Sequence, residues 1–330
     1  MDADPDRPEY GGERYDSPDK LTWRTLPETA ARFSELRNEL SNQGHAPRLT
    51  WFMRCDLQIQ KIHGDAAWSL TNFETMWKRL SNEGDELAWH PHAWRWSQET
   101  KCWYNEIEDT DYIIKSFNVG FAAFKRTMGF APAATRAGVN FHNSRTLSEL
   151  SDLGVKADLS AHPRLKLFYA RREVGNPMTQ GYDWSRTGPD PYHPSRHDYQ
   201  TPDGNGLTLI EIPVTTWSRR PDEPQFWTGL VPVRFEKGIR IVRPVFKGWF
   251  VPDISGDSHR FQLAFNQVLH KASSRGLAHF SSAFHPDDIT PSNFQRLKKN
   301  LNYAIEMARR NDIALESVTA TQAAQVFMNA

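Results

Sequence analysis

The stretch RLTWFMRCD, residues 48–56, decides how this chain is read. It is a short apolar run closed by polar residues, the pattern of a strand buried on both faces. TNFETMWKRLSNEG (71–84) sets Phe73, Met76, Trp77 and Leu80 on one helical face, with Gly84 as a C-terminal stop. DELAWHPH (85–92) reads as the next short strand. The alternation continues with DYIIKSFNVGFAAFKRTMG (111–129) as an amphipathic helix and APAATRAGVNF (131–141) as a strand. SRTLSELSDLG (144–154) is a helix opened by Ser144, and VKADLSAH (155–162) a fourth strand.

The segment 163–206 breaks this rhythm. It is full of Pro, Gly, Asp, Tyr and His, and reads as a long loop or lid. Beyond it LTLIEIPV (207–214) and IRIVRPVF (239–246) read as strands and HRFQLAFNQVLHKASSRG (259–276) as a helix. LAHFSSAFHPDD (277–288) is a strand running into a loop and SNFQRLKKNLNYAIEMARRND (292–312) a long helix. IALESV (313–318) and TATQAAQVF (319–327) read as a last strand and a closing helix. Strands separated by helices predict an α/β fold with a parallel sheet. Neither G-x-G-x-x-G nor G-x-x-x-x-G-K-[ST] occurs, which leaves a nucleotide-binding open sheet without support. A distorted (β/α)7-type barrel suits the strand count better, and it predicts that polar residues at strand C-termini meet at one mouth.

Bulk properties narrow the function classes. Forty basic and forty acidic side chains cancel, so nucleic acid and anionic membranes are not expected partners. Two cysteines in 330 residues make no disulfide framework and fit a reducing compartment. No apolar run spans a bilayer and no secretory signal opens the chain, so the expectation is a soluble, cytoplasmic protein. Residues 1–22, rich in Pro, Gly, Asp and Arg, read as a polar N-terminal arm, and 23–330 as a single barrel domain.

The strand ends carry a short set of chemical groups: Cys55 and Asp56, His90 and His92, Arg136 with His142, Asp158 with His162, and His285 with Asp287 and Asp288. In an extended segment residues i and i+2 point the same way, so His90 and His92 can share a target. Two imidazoles and the Asp56 carboxylate would suit Zn²⁺ with an open position for water. The plainer alternative is that histidines beside tryptophans pack, and that a strand-terminal Asp caps a turn.

The order of these motifs resembles the polysaccharide deacetylase (NodB-homology, carbohydrate esterase family 4-like) superfamily, in divergent form, over roughly residues 48–320. FMRCD stands where that family has a strand ending in paired aspartates, and GDELAWHPH where it has its histidine pair. TRAGVNFHNSRTLSELSDLG stands for its arginine turn, AHFSSAFHPDD for its late histidine strand, and IALESVTATQAAQ for its terminal strand and helix. The resemblance implies a metal-dependent hydrolase that removes an acyl, typically acetyl, group from an N-acylated sugar or sugar-containing metabolite. By position it implies Asp56 and His90 as ligands of a divalent metal, with Zn expected and Co, Ni or Mn as alternatives. Arg136 would orient the base and His285 act as general acid.

Two departures stand out. Cys55 occupies the place of the family's first aspartate, and a thiol is a poor base, so the base is Asp56 itself, another carboxylate such as Asp158 or Asp183, or absent. Trp94 occupies the place of the family's second histidine, which makes His92, His193 or His197 the alternative ligand. Twelve tryptophans supply flat faces for sugar rings, and Trp94, Trp184 and His193 are candidate contacts for a small-molecule or oligosaccharide substrate. If both departures are losses, the chain is a degenerate barrel that binds carbohydrate or a protein partner. A hydrolase of formamides or cyclic amides on the same barrel is a third reading. VRPVFKGWFVP (242–252) serves either as an exposed hairpin of a homo-oligomer or as a core strand.

Overall fold

The computed structural model describes residues 1–6, 21–42, 44–99, 101–170, 179–218, 227–236, 239–246 and 251–329. The first elements are β1 (Asp2–Ala3), α1 (Thr25–Ser41), β2 (Thr50–Arg54), α2 (Leu57–His63), α3 (Trp68–Asn72), α4 (Glu74–Asn82) and β3 (Glu86–His90). Next come β4 (Trp94–Ser97), β5 (Cys102–Asn105), α5 (Thr110–Met128), β6 (Ala134–Thr135), α6 (Ser144–Asp152), β7 (Ala157–Asp158), β8 (Lys166–Ala170), β9 (Thr179–Asp183) and β10 (Ile210–Glu211). The chain ends with β11 (Trp227–Glu236), β12 (Ile239–Phe246), α7 (Ser258–Arg275), α8 (Pro291–Arg310) and α9 (Ala320–Met328).

Six strands lie side by side in the order β1-β2-β3-β6-β7-β10, every neighbour pair parallel. The segment 279–285 links the two edges without a regular ladder. Thr215 N donates to Ser281 O at 2.9 Å on one side, and Asp2 N donates to Phe284 O at 3.0 Å on the other. The sheet thus closes into the expected distorted seven-membered α/β barrel, its last member irregular.

Strand parity explains where the polar groups go. Trp51, Met53, Leu87 and Trp89 pack against the outer helices in the largest core cluster. The alternate residues Phe52, Ala88, Ala134, Ala157 and Ile210 pack with Ala320 and Ala324 of α9 in a second cluster. Moving two residues along the same face leads from Phe52 to Arg54, from Ala88 to His90 and from Ala134 to Arg136. One end of this face is therefore closed by α9, while the C-terminal end is polar and carries chemistry.

Three expectations are corrected. Residues 1–4 are not part of an arm: Asp2 and Ala3 pair in parallel with Phe52 and Met53 of β2. IRIVRPVF is β12 of an antiparallel hairpin with β11 rather than a barrel strand. IALESV forms no strand, its Ser317 hydroxyl accepting from Arg48 N at 2.8 Å. VRPVFKGWFVP lies in part outside the described residues.

Candidate metal centre

Asp2 and Asp4 project from the same face of the first strand and its extension, 3% and 4% exposed. β1 pairs with β2, and Arg54 of β2 sits in register with His90 of β3, so Asp4, Arg54 and His90 are brought to one level. Among the described residues, one group of His, Cys, Asp and Glu has the spacing to hold a metal ion: Asp4, His90 and His92. The two Nε2 atoms lie 3.0 Å apart. Asp4 Oδ2 is 3.6 Å from His90 Nε2, and Asp4 Oδ1 is 3.5 Å from His92 Nε2. Bonds of 2.0–2.1 Å in a tetrahedron imply ligand separations of about 3.3 Å. The donors therefore fit one small divalent cation.

The surroundings orient these donors. His90 Nδ1 lies 2.5 Å from Arg136 O, which directs an Nδ1 proton to the carbonyl and leaves an Nε2 lone pair for a cation. The His92 ring stacks on Trp94 with centroids 5.7 Å apart and planes 9° from parallel. A second constraint on the ring is Gly138, where an added Cβ would sit 2.2 Å from the imidazole. The next two residues, Val139 and Asn140, hold φ of 52° and 56°. A β-branched residue is seldom found there, and Trp184 Nε1 anchors the turn by donating to Asn140 O at 2.9 Å.

Two groups flank the triad. Arg136 Nε donates to Asp2 Oδ2 at 2.9 Å, and its Nη1 to Leu159 O at 2.8 Å. Burial raises the Asp2 carboxyl, but Arg136, helped by His90 and His285, outweighs that and holds it at about 2. His285 Nε2 lies 3.3 Å from Asp4 Oδ2, and its Nδ1 lies 3.3 Å from Asp288 Oδ2. Burial opposes the imidazolium, yet Asp288, Asp4 and Asp2 together carry it up to about 9.

His90, His92, Arg136 and His285 thus converge, whereas the other expected residues lie elsewhere. Asp56 is the N-cap of α2: its Oδ1 accepts from Gln58 N and Ile59 N, and its Oδ2 from Arg54 Nε. The carboxylate beside the histidines is Asp4. Asp158, offered above as base, has its oxygens engaged by Thr135 Oγ1 at 2.8 Å and Ser160 N at 3.0 Å, with His142 at 3.4 Å. It bridges β6 and β7, while the carboxylate on Arg136 is Asp2. Asp183 accepts from Ser185 and pairs with Lys166. Cys55 is fully buried, and burial pushes its thiol well up, so it is no base.

The substrate contacts are likewise revised. Trp184 is fully buried and edge-on to Tyr199, and Trp94 is 1% exposed beneath His92. Neither offers an open face. His193 Nδ1 meets Leu207 O and Leu209 O at 3.1 and 3.0 Å, tying its own loop, and His197 is exposed. The residues missed in the sequence are Asp2, Asp4 and Arg54. Their signals were the i, i+2 carboxylates of MDADPD and a lone charge inside the apolar run TWFMRC.

Known structures that align with the chain include a Mycobacterium smegmatis protein assigned as a polysaccharide deacetylase, at 15% identity and TM-score 0.46, covering 90% of this chain and 76% of that one. A PuuE allantoinase aligns at 13% identity and TM-score 0.44, over 84% of this chain and 66% of its own. A GH57-type branching enzyme from Pyrococcus horikoshii aligns at 11% identity and TM-score 0.45, over 91% and 64%. The chain spans about two thirds of the length of the latter two. No family model matches the sequence, and no curated protein matches it. No helix among the described residues is long and apolar enough to cross a membrane.

Proposed function

We propose that this barrel is a divergent polysaccharide-deacetylase-type hydrolase that uses one divalent metal to cleave an N-acyl amide. The observation that carries the reading is the Asp4–His90–His92 triangle with Asp2 on Arg136 at one side and His285 at the other. The chemistry of the donor set favours Zn²⁺, with Co²⁺, Ni²⁺ or Mn²⁺ as substitutes. When bound, such a cation supplies Lewis acidity toward the acyl carbonyl and toward water.

The chain's own groups divide the remaining work. Asp2, ionised and held by Arg136, accepts a proton from the attacking water through its oxygens. His285, held protonated between Asp288 and Asp4, donates to the leaving amine. Asp2 and Asp4 stand in the two places that the resemblance had given to Cys55 and Asp56. Cys55 in the base's place favoured a non-catalytic binder, and the Asp2 carboxylate on Arg136 counts against that reading.

The substrate class is an N-acetylated amino sugar or a sugar-containing metabolite carrying such a group. The test is release of acetate from N-acetylated mono- and oligosaccharides, with and without chelator. Chelator-sensitive acetate release supports the reading. A protein that binds metal yet releases no acyl group from sugar, formamide or cyclic-amide substrates returns it to the binding class.

A further inference from the structure

Arg54 plays no part in the chemistry above, yet it touches the proposed metal carboxylate. Its side chain is fully buried, and its guanidinium reaches three acceptors: Asp56 Oδ2 through Nε at 2.6 Å, Asp4 Oδ1 through Nη1 at 2.9 Å, and Gln58 Oε1 through Nη2 at 2.8 Å. Burial works against this charge, but Asp56 and Asp4 more than restore it.

A buried cation beside a site built to take another cation needs a reason, since placing it there opposes metal binding. Two features of the structure supply one. First, Asp4 stands just beyond a strand of two residues, where few ladder bonds fix its backbone. The planar fork of Arg54 pins one carboxylate oxygen from a rigid strand, leaving Oδ2 toward His90 and His285. Second, Asp56 carries a charge of its own onto Nε. Arg54 is thereby neutralised by Asp56, and the charge of Asp4 stays available for the cation. Gln58, the second residue of α2, holds the third arm without adding charge.

We infer that Arg54, anchored by Asp56 and Gln58, is a positioning residue that presents Asp4 for cation capture. This rests on reading Asp4, His90 and His92 as a metal site. It also gives the CD pair of FMRCD a role: Asp56 supports the metal ligand from behind and does not ligate.

The test is calorimetric titration of chelator-stripped full-length protein with cobalt(II) chloride, read beside the visible absorption of the bound ion. Arg54→Lys keeps the charge and loses the fork. Asp56→Asn keeps an N-cap acceptor for Gln58 N and Ile59 N, so the helix start survives, but leaves Arg54 uncompensated against Asp4. Both are expected to weaken cobalt binding by about 10- to 100-fold and to alter its absorption. Gln58→Met, a milder lesion, should weaken it by less. A wild type that binds cobalt beside variants that bind within twofold, with the same spectrum, overturns the inference while leaving the metal centre standing. A wild type that takes up no cobalt overturns both.

Discussion

The Arg136 guanidinium holds Asp2 across 134 positions of sequence, Nε to Oδ2 at 2.9 Å, and the same residue's carbonyl receives His90 Nδ1 at 2.5 Å. One residue therefore orients both the carboxylate beside the metal triad and a member of the triad itself. Asp2 does not belong to the Asp4–His90–His92 group, so its loss separates proton transfer from metal binding. Asp2→Asn is expected to lower kcat by a factor of about 100 to 10,000. Metal stoichiometry, measured on the same preparation, should stay at the wild-type value.

Gly138 supports His92 by lacking a side chain. Its φ is unremarkable, so the constraint is space: a Cβ would lie 2.2 Å from three ring atoms. Gly138→Ala must displace the imidazole or move the turn. The expected result is metal affinity weakened at least tenfold and a stability loss of about 1–3 kcal/mol. In a His92→Ala background the same substitution should cost little of either, which a double-mutant cycle of melting and metal titration checks.

Trp184 serves the fold and not the ligand. It is fully buried and donates to Asn140 O, beside the two residues at positive φ. Trp184→Phe is expected to cost about 1–3 kcal/mol through the unpaired carbonyl and lost contacts. Denaturant unfolding should show that loss, with KM for an acylated sugar moved by less than threefold.

Acid stability should carry the mark of His162. Burial, with Arg136 nearby, lowers its imidazole to about 3 despite the opposing pull of Asp2. A free histidine takes its proton near pH 6.5. The unfolded chain therefore binds a proton below that pH that the folded chain refuses. Stability is full above pH 6.5 and falls by roughly 1.4 kcal/mol per pH unit as pH drops toward 3. His162→Gln should remove about one proton from the slope of unfolding free energy between pH 6 and 4.5. An unchanged slope contradicts the assignment.

The parts of this molecule that could be read from sequence are those with a period. TWFMR and ELAWH are apolar runs, and they became β2 and β3 in register, Arg54 against His90. His90, His92, Arg136 and His285 were legible because strand ends in a barrel face one mouth. β1 was not legible: two residues in a polar run, followed by Pro5, give no hydrophobic signal. Its carboxylates obey the same i, i+2 rule that paired the histidines. With FMRCD as the opening motif the expected carboxylate was Asp56 and Cys55 stood in the place of the base, whereas the carboxylate beside His90 and His92 is Asp4. IRIVRPVF alternates as a strand should, but alternation does not say which partner a strand takes.

On the proposed reading, Asp4, His90 and His92 together hold one divalent cation. The most direct test is zinc uptake by the chelator-stripped protein, wild type against Asp4→Ala, with folding confirmed for both. One equivalent is expected in the wild type and none retained by Asp4→Ala. No uptake by the wild type, or equal uptake by Asp4→Ala, would contradict it.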